Sequence, residues 1–112
     1  MNSDTQIVKG ILEGCILKII SEEETYGYDA VEKLNRFGFD VNEATVYPIL
    51  TRLESKGFLA IEKRPSPFGP TRKYYSLTPS GGAYLEEFRE TWRKISQTVH
   101  EVMEGEVHDK AK

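Results

Sequence analysis

The chain has 112 residues and a formal net charge of −3, with 29% charged and 38% hydrophobic residues. This length predicts one domain with a single hydrophobic core and leaves no room for a deep enzyme cleft beside a second domain. Charged residues interrupt the longest apolar segment, so a membrane span and a signal peptide are not predicted.

The basic residues are concentrated in the middle of the chain. Residues 36–76 carry seven basic and four acidic side chains, a net charge of +3, whereas the segments before and after them are acidic. Because salt screens electrostatic fields beyond about 10 Å, this local charge matters more for phosphate binding than the charge of the whole chain.

The first predicted helix runs from Thr5 to Ile20 and has an apolar face broad enough to pack against two neighbours. Gly10 and Gly14 either allow another backbone to come close or are incidental glycines in a core helix. Cys15 lies on the apolar face as a small hydrophobe. It is the only cysteine and cannot form an internal disulfide, which favours a cytoplasmic location.

An acidic turn, Ser21–Glu24, follows and is expected to point away from any phosphate backbone. Thr25 is expected to cap a second helix over Tyr26–Phe37, whose apolar residues, including Phe37, again have helical spacing. Gly38 is expected to end this helix. The link to the next helix is short, so the two helices are predicted to form a compact helix–turn–helix pair.

The segment from Asn42 to Gly57 is predicted to be the helix on which function depends, with Asn42 as its N-cap and Gly57 as its stop. Pro48 predicts a bend near its start. Its apolar stripe comprises Val46, Ile49, Leu50 and Leu53. The opposite face is small, hydroxyl-bearing and not acidic, which suits a DNA major groove. Taken alone, the segment is more typical of an amphipathic packing helix, but the following residues favour the DNA-binding interpretation.

Two short runs with β-type composition, Phe58–Arg64 and Arg72–Leu77, come next, joined by a predicted loop over Pro65–Thr71. Four basic side chains are expected at the loop end of both strands: Lys63, Arg64, Arg72 and Lys73. A hairpin with cations at its tip, directly after a capped helix, is typical of the wing of a winged-helix domain.

The last predicted helix begins at Thr78-Pro79, a cap followed by proline at the first helical position, and runs to Glu104. Its apolar residues form a heptad-like seam: Leu85, Phe88, Trp92, Ile95, Val99 and Val102. A helix of this length, roughly 39 Å, exceeds what a small core can cover. The seam therefore predicts a twofold homodimer, in which the helix packs on its mate or on the partner's first helix.

The sequence lacks the patterns of enzyme and metal chemistry. His100 and His108 stand apart from any zinc-type spacing, and there is no phosphate-binding glycine loop or nucleophile–base pairing. The protein is therefore predicted not to be an enzyme and to need no cofactor or metal.

Several motifs together resemble the PadR family of bacterial transcription regulators. They are Tyr26–Asp29, Asn42–Leu50 with Arg52–Glu54, Gly57, and Gly69–Thr78. The resemblance runs from about Ile7 to Leu85, and the short C-terminal part is similar to the compact subfamily with one dimerisation helix. It implies a homodimer that binds a palindromic DNA operator and represses transcription, with the third helix in the major groove and the wing on the adjacent groove or backbone.

The resemblance also implies a possible ligand site. In drug-sensing members of the compact subfamily a tryptophan on the last helix lines a pocket at the dimer interface, and Trp92 matches that place, with Phe88 one turn before it. The ligand would be a planar aromatic small molecule whose binding releases DNA. Equally open is the interpretation that Trp92 only anchors the interface.

The predicted fold class is mainly α with a small β-hairpin: a winged helix-turn-helix over 5–77, a dimerisation helix over 78–104 and a flexible tail over 105–112. The predicted function is a cytoplasmic, dimeric DNA-binding repressor without membrane association; the alternative is a winged-helix protein-interaction module. The predicted DNA-binding residues are Thr45, Tyr47, Thr51, Lys56, Lys63, Arg64, Arg72 and Lys73. The predicted dimer interface comprises Ile7, Ile11, Leu85, Phe88, Trp92, Ile95, Val99 and Val102.

Overall fold

The computed structural model describes residues 3–105, so most of the predicted tail, including His108, lies outside the described residues. The fold is mainly helical with a small antiparallel sheet, which confirms the predicted winged-helix class. The elements in chain order are α1 (Ser3–Glu22), β1 (Thr25–Tyr26), α2 (Gly27–Phe37), α3 (Glu43–Ser55), β2 (Leu59–Ser66), β3 (Gly69–Leu77) and α4 (Pro79–Met103).

The hydrophobic core lies between α1, α2 and α3 and is closed by the base of the hairpin. Helix α1 packs against α2, α3, α4 and β3, which explains the breadth of its apolar face. The four predicted stripe residues of α3 are all buried, as are apolar side chains of the neighbouring elements: Leu12, Ile16, Leu17, Ile20, Ala30, Val31, Leu34, Leu59, Tyr75 and Leu85. Phe37, predicted as an apolar position of α2, is instead 80% exposed.

The predicted role of Thr25 as a helix cap is wrong. Thr25 and Tyr26 form a third strand that pairs antiparallel with β3, in the register Thr25↔Tyr75 and Tyr26↔Tyr74. The Thr25 side chain is buried, and its hydroxyl donates to the carbonyl of Glu23. Helix α2 therefore begins later, at Gly27, without a side-chain cap, and ends as predicted at Gly38, whose φ of 121° suits glycine.

The predicted long loop between the hairpin strands is also wrong. Strand β2 continues through Pro65 to Ser66 and β3 begins at Gly69, which leaves a turn of only two residues. In the sheet order β1-β3-β2, strand β2 is an edge, and an edge strand tolerates a proline because one side of its backbone needs no ladder hydrogen bonds. The four cations therefore lie in the middle of the hairpin rather than at its tip.

Helix α4 confirms the predicted start and length. The Thr78 hydroxyl accepts a hydrogen bond from the backbone N–H of Gly81 at 3.0 Å and donates to the carbonyl of Gly57 at 2.7 Å, which ties the helix to the end of α3. The helix has 25 residues, about 37 Å at 1.5 Å per residue, and contributes to a longest molecular dimension of 65 Å. Its C-terminal half extends away from the core.

Candidate nucleic-acid interface

Helix α3 presents a rigid, uncharged outer face. The Asn42 side chain accepts a hydrogen bond from the backbone N–H of Thr45 at 3.2 Å, which fixes the first turn. Pro48 and Thr51 on the outer face are exposed, and Tyr47 is 41% exposed. Because the buried stripe holds the opposite side of the helix in the core, the backbone that carries these side chains has a fixed position at the surface.

A cleft of about 450 Å³ separates α3 from the hairpin. Two of the predicted reading residues, Tyr47 and Thr51, line one wall, and Arg72 and Lys73 line the other. Sequence reasoning missed the remaining lining residues: Tyr26, Gly27, Tyr28, Thr71 and Tyr75. Tyr26 and Tyr28 belong to the motif that carried the family resemblance, so that motif was the available signal for them. The cleft combines aromatic rings with two cations, which suits a sugar-phosphate backbone and base edges.

Tyr47 occupies a restricted place in this cleft. A Cβ atom added at Gly27 would lie 3.1 Å from the Tyr47 ring, so the glycine lets the start of α2 approach α3 closely. Burial, and secondarily the charge of Glu43, raises the pKa of Tyr47 above its ordinary value. The hydroxyl therefore stays protonated at neutral pH and can donate a hydrogen bond.

The strand register divides the four hairpin cations between two faces. Lys63 is directly opposite Lys73, and Arg64 is directly opposite Arg72. Directly opposed residues share a face, and successive residues alternate between faces. The two lysines lie on the face that carries the buried Leu59 and Tyr75 and is turned towards the core, whereas the two arginines lie on the other face.

Arg64 has acidic partners, whereas Arg72 and the two lysines have none within residues 3–105. Arg64 donates to Glu24 at 2.8 Å and to Glu62 at 2.6 Å, and its guanidinium lies over the ring of Tyr74. These hydrogen bonds, Glu62 first, raise the pKa of Arg64 further above its ordinary value. Across residues 3–105, neither Lys63 nor Lys73 has a carboxylate within ion-pair distance. The opposed lysines are therefore an uncompensated cationic pair.

One residue of the acidic turn contacts the hairpin. Glu24 contacts Arg64, forty residues later in the chain. Glu23 instead binds Lys33 of α2 at 3.1 Å. One end of the turn is thus part of the hairpin's charge network.

The remaining predicted DNA-binding residues lie outside the cleft lining. The Thr45 hydroxyl is directed at the Asn42 cap, 3.4 Å away. Lys56 lies at the far end of α3, with its Nζ 3.9 Å from a carboxylate oxygen of Glu13. The structure therefore brings Tyr47, Thr51, Arg72 and Lys73 together and leaves Lys56 apart.

The α4 seam forms a separate apolar surface. Leu85 is buried and Phe88 packs against Gly14 of α1, which explains that glycine, whereas Gly10 has no such neighbour. The rest of the seam is at least 46% exposed in the single chain: Trp92, Ile95, Val99 and Val102. On α1, Ile7 is 66% exposed and Ile11 is partly buried. A groove of about 480 Å³, lined by Phe88, Cys15 and Phe37 among others, adjoins the seam.

The described residues form neither a metal-binding cluster nor a membrane-spanning helix. Residues 3–105 contain no group of three or more histidine, cysteine or acidic side chains that could hold a metal ion. None of their helices combines the length and hydropathy that crossing a bilayer requires.

Known proteins share both the sequence and this fold. Residues 16–87 match the transcriptional regulator PadR-like family. A PadR-like transcriptional regulator from Bacillus cereus is 46% identical, with a TM-score of 0.79, over 90% of this chain and 99% of that one. A PadR family transcriptional regulator from Eggerthella lenta is 32% identical, with a TM-score of 0.82, over 89% of this chain and 88% of that one. The transcriptional regulator Rv3488 of Mycobacterium tuberculosis is 37% identical over 93 residues, 83% of each chain.

These matches confirm the resemblance noted in the sequence. They cover the helix–turn–helix pair, the hairpin and the start of α4, and the family is one of transcriptional regulators rather than of enzymes in general. The chain belongs to the PadR-like family of winged-helix, DNA-binding transcriptional regulators.

Proposed function

We propose that two copies of this chain bind a palindromic DNA operator and repress transcription. The observation that carries this proposal is the cleft between α3 and the hairpin, with hydroxyl groups on one wall and cations on the other. A protein with this role in a bacterial cell acts in the cytoplasm, where the DNA is.

In this proposal α3 reads bases and the hairpin binds phosphates. Tyr47 and Thr51 in the cleft, together with Thr45 on the first turn of the same helix, contact base edges or thymine methyl groups. Lys63, Arg72 and Lys73 contact phosphates. Lys56, which lies away from the cleft and beside Glu13, is left out of the interface. Three cations per subunit give six per dimer, so the logarithm of the binding constant is expected to fall with the logarithm of salt concentration at a slope near −5.

The dimer forms through the exposed seam of α4. Residues 5–77 act as the DNA-binding unit and residues 78–104 as the dimerisation helix of the same structural unit. The seam, with Ile7 and Ile11 of α1, is too apolar and too exposed for a chain that stays alone. PadR-like regulators are typically dimeric. A twofold axis places the two α3 helices about one duplex turn apart, so the half-sites are expected at that spacing.

The direct test is selection of bound fragments from the source genome, followed by measurement of affinity at several salt concentrations. Recovery of one palindromic site whose neighbouring gene is derepressed on deletion of the protein is expected. Replacing Arg72 and Lys73 together by alanine should weaken binding to all sequences alike, because phosphate contacts carry no sequence information. Absence of any shift with mixed genomic DNA at low salt would favour the protein-interaction module instead.

A planar aromatic ligand at the dimer interface is a second part of the proposal. Trp92 is half-exposed on the seam, one turn after Phe88 and close to the apolar groove. A flat aromatic cation stacked between two copies of Trp92 should quench the emission of this single tryptophan and weaken DNA binding. If no member of a panel of such compounds quenches it, Trp92 acts only as an interface anchor.

A further inference from the structure

Arg64 is held by two carboxylates from different elements. Its Nη2 atom lies 2.8 Å from both carboxylate oxygens of Glu24, in the turn before β1, and 2.6 Å from Glu62, on its own strand. Its side chain is only 37% exposed. The donors of Nη2 are therefore already engaged on the protein side, and a phosphate at Arg64 would have to bind through Nη1 or Nε.

Aromatic rings extend this contact across the sheet. The Arg64 guanidinium lies 4.5 Å from the centre of the Tyr74 ring, and Tyr74 lies 5.7 Å from Tyr26, centre to centre. Arg72 covers the Tyr26 ring at 4.7 Å. Tyr26 immediately precedes α2. This row of contacting rings and guanidinium groups therefore connects the middle of the hairpin to the start of α2, beside Tyr47 of α3.

The charge of this cluster does not favour a phosphate near Arg64. Glu24, Arg64 and Glu62 together carry a formal charge of −1, and Arg72, directly opposite Arg64, brings the sum on that face to zero. Lys63 and Lys73, on the opposite face of the same hairpin, carry +2 with no acidic partner in the described residues. A DNA strand is therefore attracted more strongly to the lysine face than to Arg64.

We propose that Arg64 is a positioning residue, which fixes the hairpin against the turn before α2 and thereby sets the distance between the lysine pair and α3, without contacting DNA. This inference rests on the proposed DNA-binding function. It differs from the expectation, drawn from the sequence, that all four hairpin cations contact phosphates.

The salt dependence of operator binding separates this role from a phosphate contact. Arg64→Ala should weaken binding about tenfold, since the free hairpin must then be ordered on binding, with an unchanged salt slope. Lys73→Ala should reduce the magnitude of the slope by about 2 per dimer, because two phosphate contacts are lost. A slope reduced by Arg64→Ala as much as by Lys73→Ala would overturn the proposal.

Replacing Glu24, the carboxylate partner of Arg64, should change DNA affinity in opposite directions if Arg64 is a phosphate ligand and if it is a positioning residue. If Arg64 were a phosphate ligand, Glu24→Gln would release it and strengthen binding. For a positioning residue, Glu24→Gln should weaken binding. Glu22→Gln is the matched control, because it removes one negative charge from the same acidic run while its partner is Lys18 of α1. Tighter binding by Glu24→Gln than by Glu22→Gln would contradict the proposal.

A measurement made without DNA tests the role of Arg64 separately from the proposed DNA-binding function. Amide hydrogen exchange of the hairpin, residues 59–77, should be faster in Arg64→Ala and in Glu24→Gln than in the wild type or in Lys63→Ala. Arg64→Lys, which keeps the charge but not the stacked plane, should restore part of the protection. If the wild type binds no DNA, the proposed function fails; if exchange is equal in all variants, the inference about Arg64 fails.

Discussion

Two adjacent glycines at the start of α4 differ in what surrounds them. A Cβ atom added at Gly81 would collide with the backbone carbonyl oxygen of Phe58. That oxygen also accepts a hydrogen bond from the backbone N–H of Thr78 at 3.2 Å, so it cannot easily move aside. At Gly82 the nearest neighbour is a side-chain atom of Leu77 at 3.8 Å, an ordinary van der Waals contact.

Gly81→Ala is therefore expected to lower the free energy of unfolding by about 1–3 kcal/mol, as overpacking against backbone does. Gly82→Ala is expected to raise it by about 0.5–1 kcal/mol, because alanine favours the helix and restricts the unfolded chain. Urea denaturation of both variants checks this. Equal effects of the two substitutions would show that the close approach of α4 to Phe58 is not as described.

At the scale of the secondary-structure elements, one side chain of α1 contacts both α3 and α4. Glu13 of α1 accepts a hydrogen bond from the Tyr84 hydroxyl of α4 at 2.7 Å and one from Arg52 of α3 at 3.3 Å. The Tyr84 ring also stacks on Phe58, with ring centres 4.4 Å apart. One carboxylate thus contacts both the proposed DNA-reading helix and the proposed dimerisation helix.

Tyr84→Phe keeps the stacked ring and removes only the hydroxyl, so we expect it to lower stability at pH 7 by about 1 kcal/mol. The hydrogen bond to Glu13, and secondarily burial, raises the pKa of Tyr84 in the folded state above its ordinary value near 10. This stabilisation is complete below that ordinary value and is lost as the pH rises through the folded pKa. Thermal denaturation between pH 9 and pH 11 (about one unit on either side of the free tyrosine pKa) should show a smaller alkaline loss in the variant.

Glu13→Gln provides the second arm of this experiment. It removes the carboxylate that is the main cause of the raised pKa of Tyr84, so it should flatten the alkaline decrease in the same way. Parallel alkaline losses in the wild type and both variants would show that the hydrogen bond between Tyr84 and Glu13 does not contribute to stability.

At the scale of the whole molecule, the main exposed apolar surface is the seam of α4. Trp92, Ile95, Val99 and Val102 lie on one side of a helix whose other sides are polar. A seam with this spacing buries itself most readily against a second copy, and in the proposed function the dimer is also what pairs the two DNA-reading helices.

Val99→Glu is expected to weaken the dimer at least about a hundredfold, because an unpaired charge in an apolar interface costs about 3 kcal/mol. Gln97→Glu is the matched control, since it adds the same charge on the opposite side of α4. Sedimentation velocity at micromolar protein concentration should show monomers for the first variant and dimers for the second. A wild-type chain that sediments as a stable monomer would refute the proposed dimer.

The sequence by itself determined the features that depend on neighbouring residues. Asn42, Gly57 and Thr78 were identified as ends of helices because capping requires only residues within one turn. The buried stripe of α3 and the seam of α4 followed from helical periodicity. The change to strand-like residues after Gly57 located the hairpin and, with the motifs around it, the family.

Only the tertiary structure decided what depends on residues far apart in the chain. Thr25 has the local pattern of a helix cap, but pairing with Tyr75 makes it a strand residue. Pro65 and Pro67 indicate a loop, but a free sheet edge lets the strand continue through Pro65. At Thr25, strand pairing and the burial of the side chain outweigh a weak local preference for capping a helix. At Pro65, the free edge of the sheet outweighs the local preference for a loop.

The proposed division of roles among the hairpin cations has the same origin. Four basic residues look equivalent in the sequence, yet register and alternation place two on each face, and Glu24 reaches Arg64 across forty residues. Strand register is fixed by which side chains the core buries, here Leu59 and Tyr75, and that choice is made only when the sheet closes over α1 and α3. The chain's own pattern thus specified a wing, and the packed fold specified which of its charges are free to meet a phosphate.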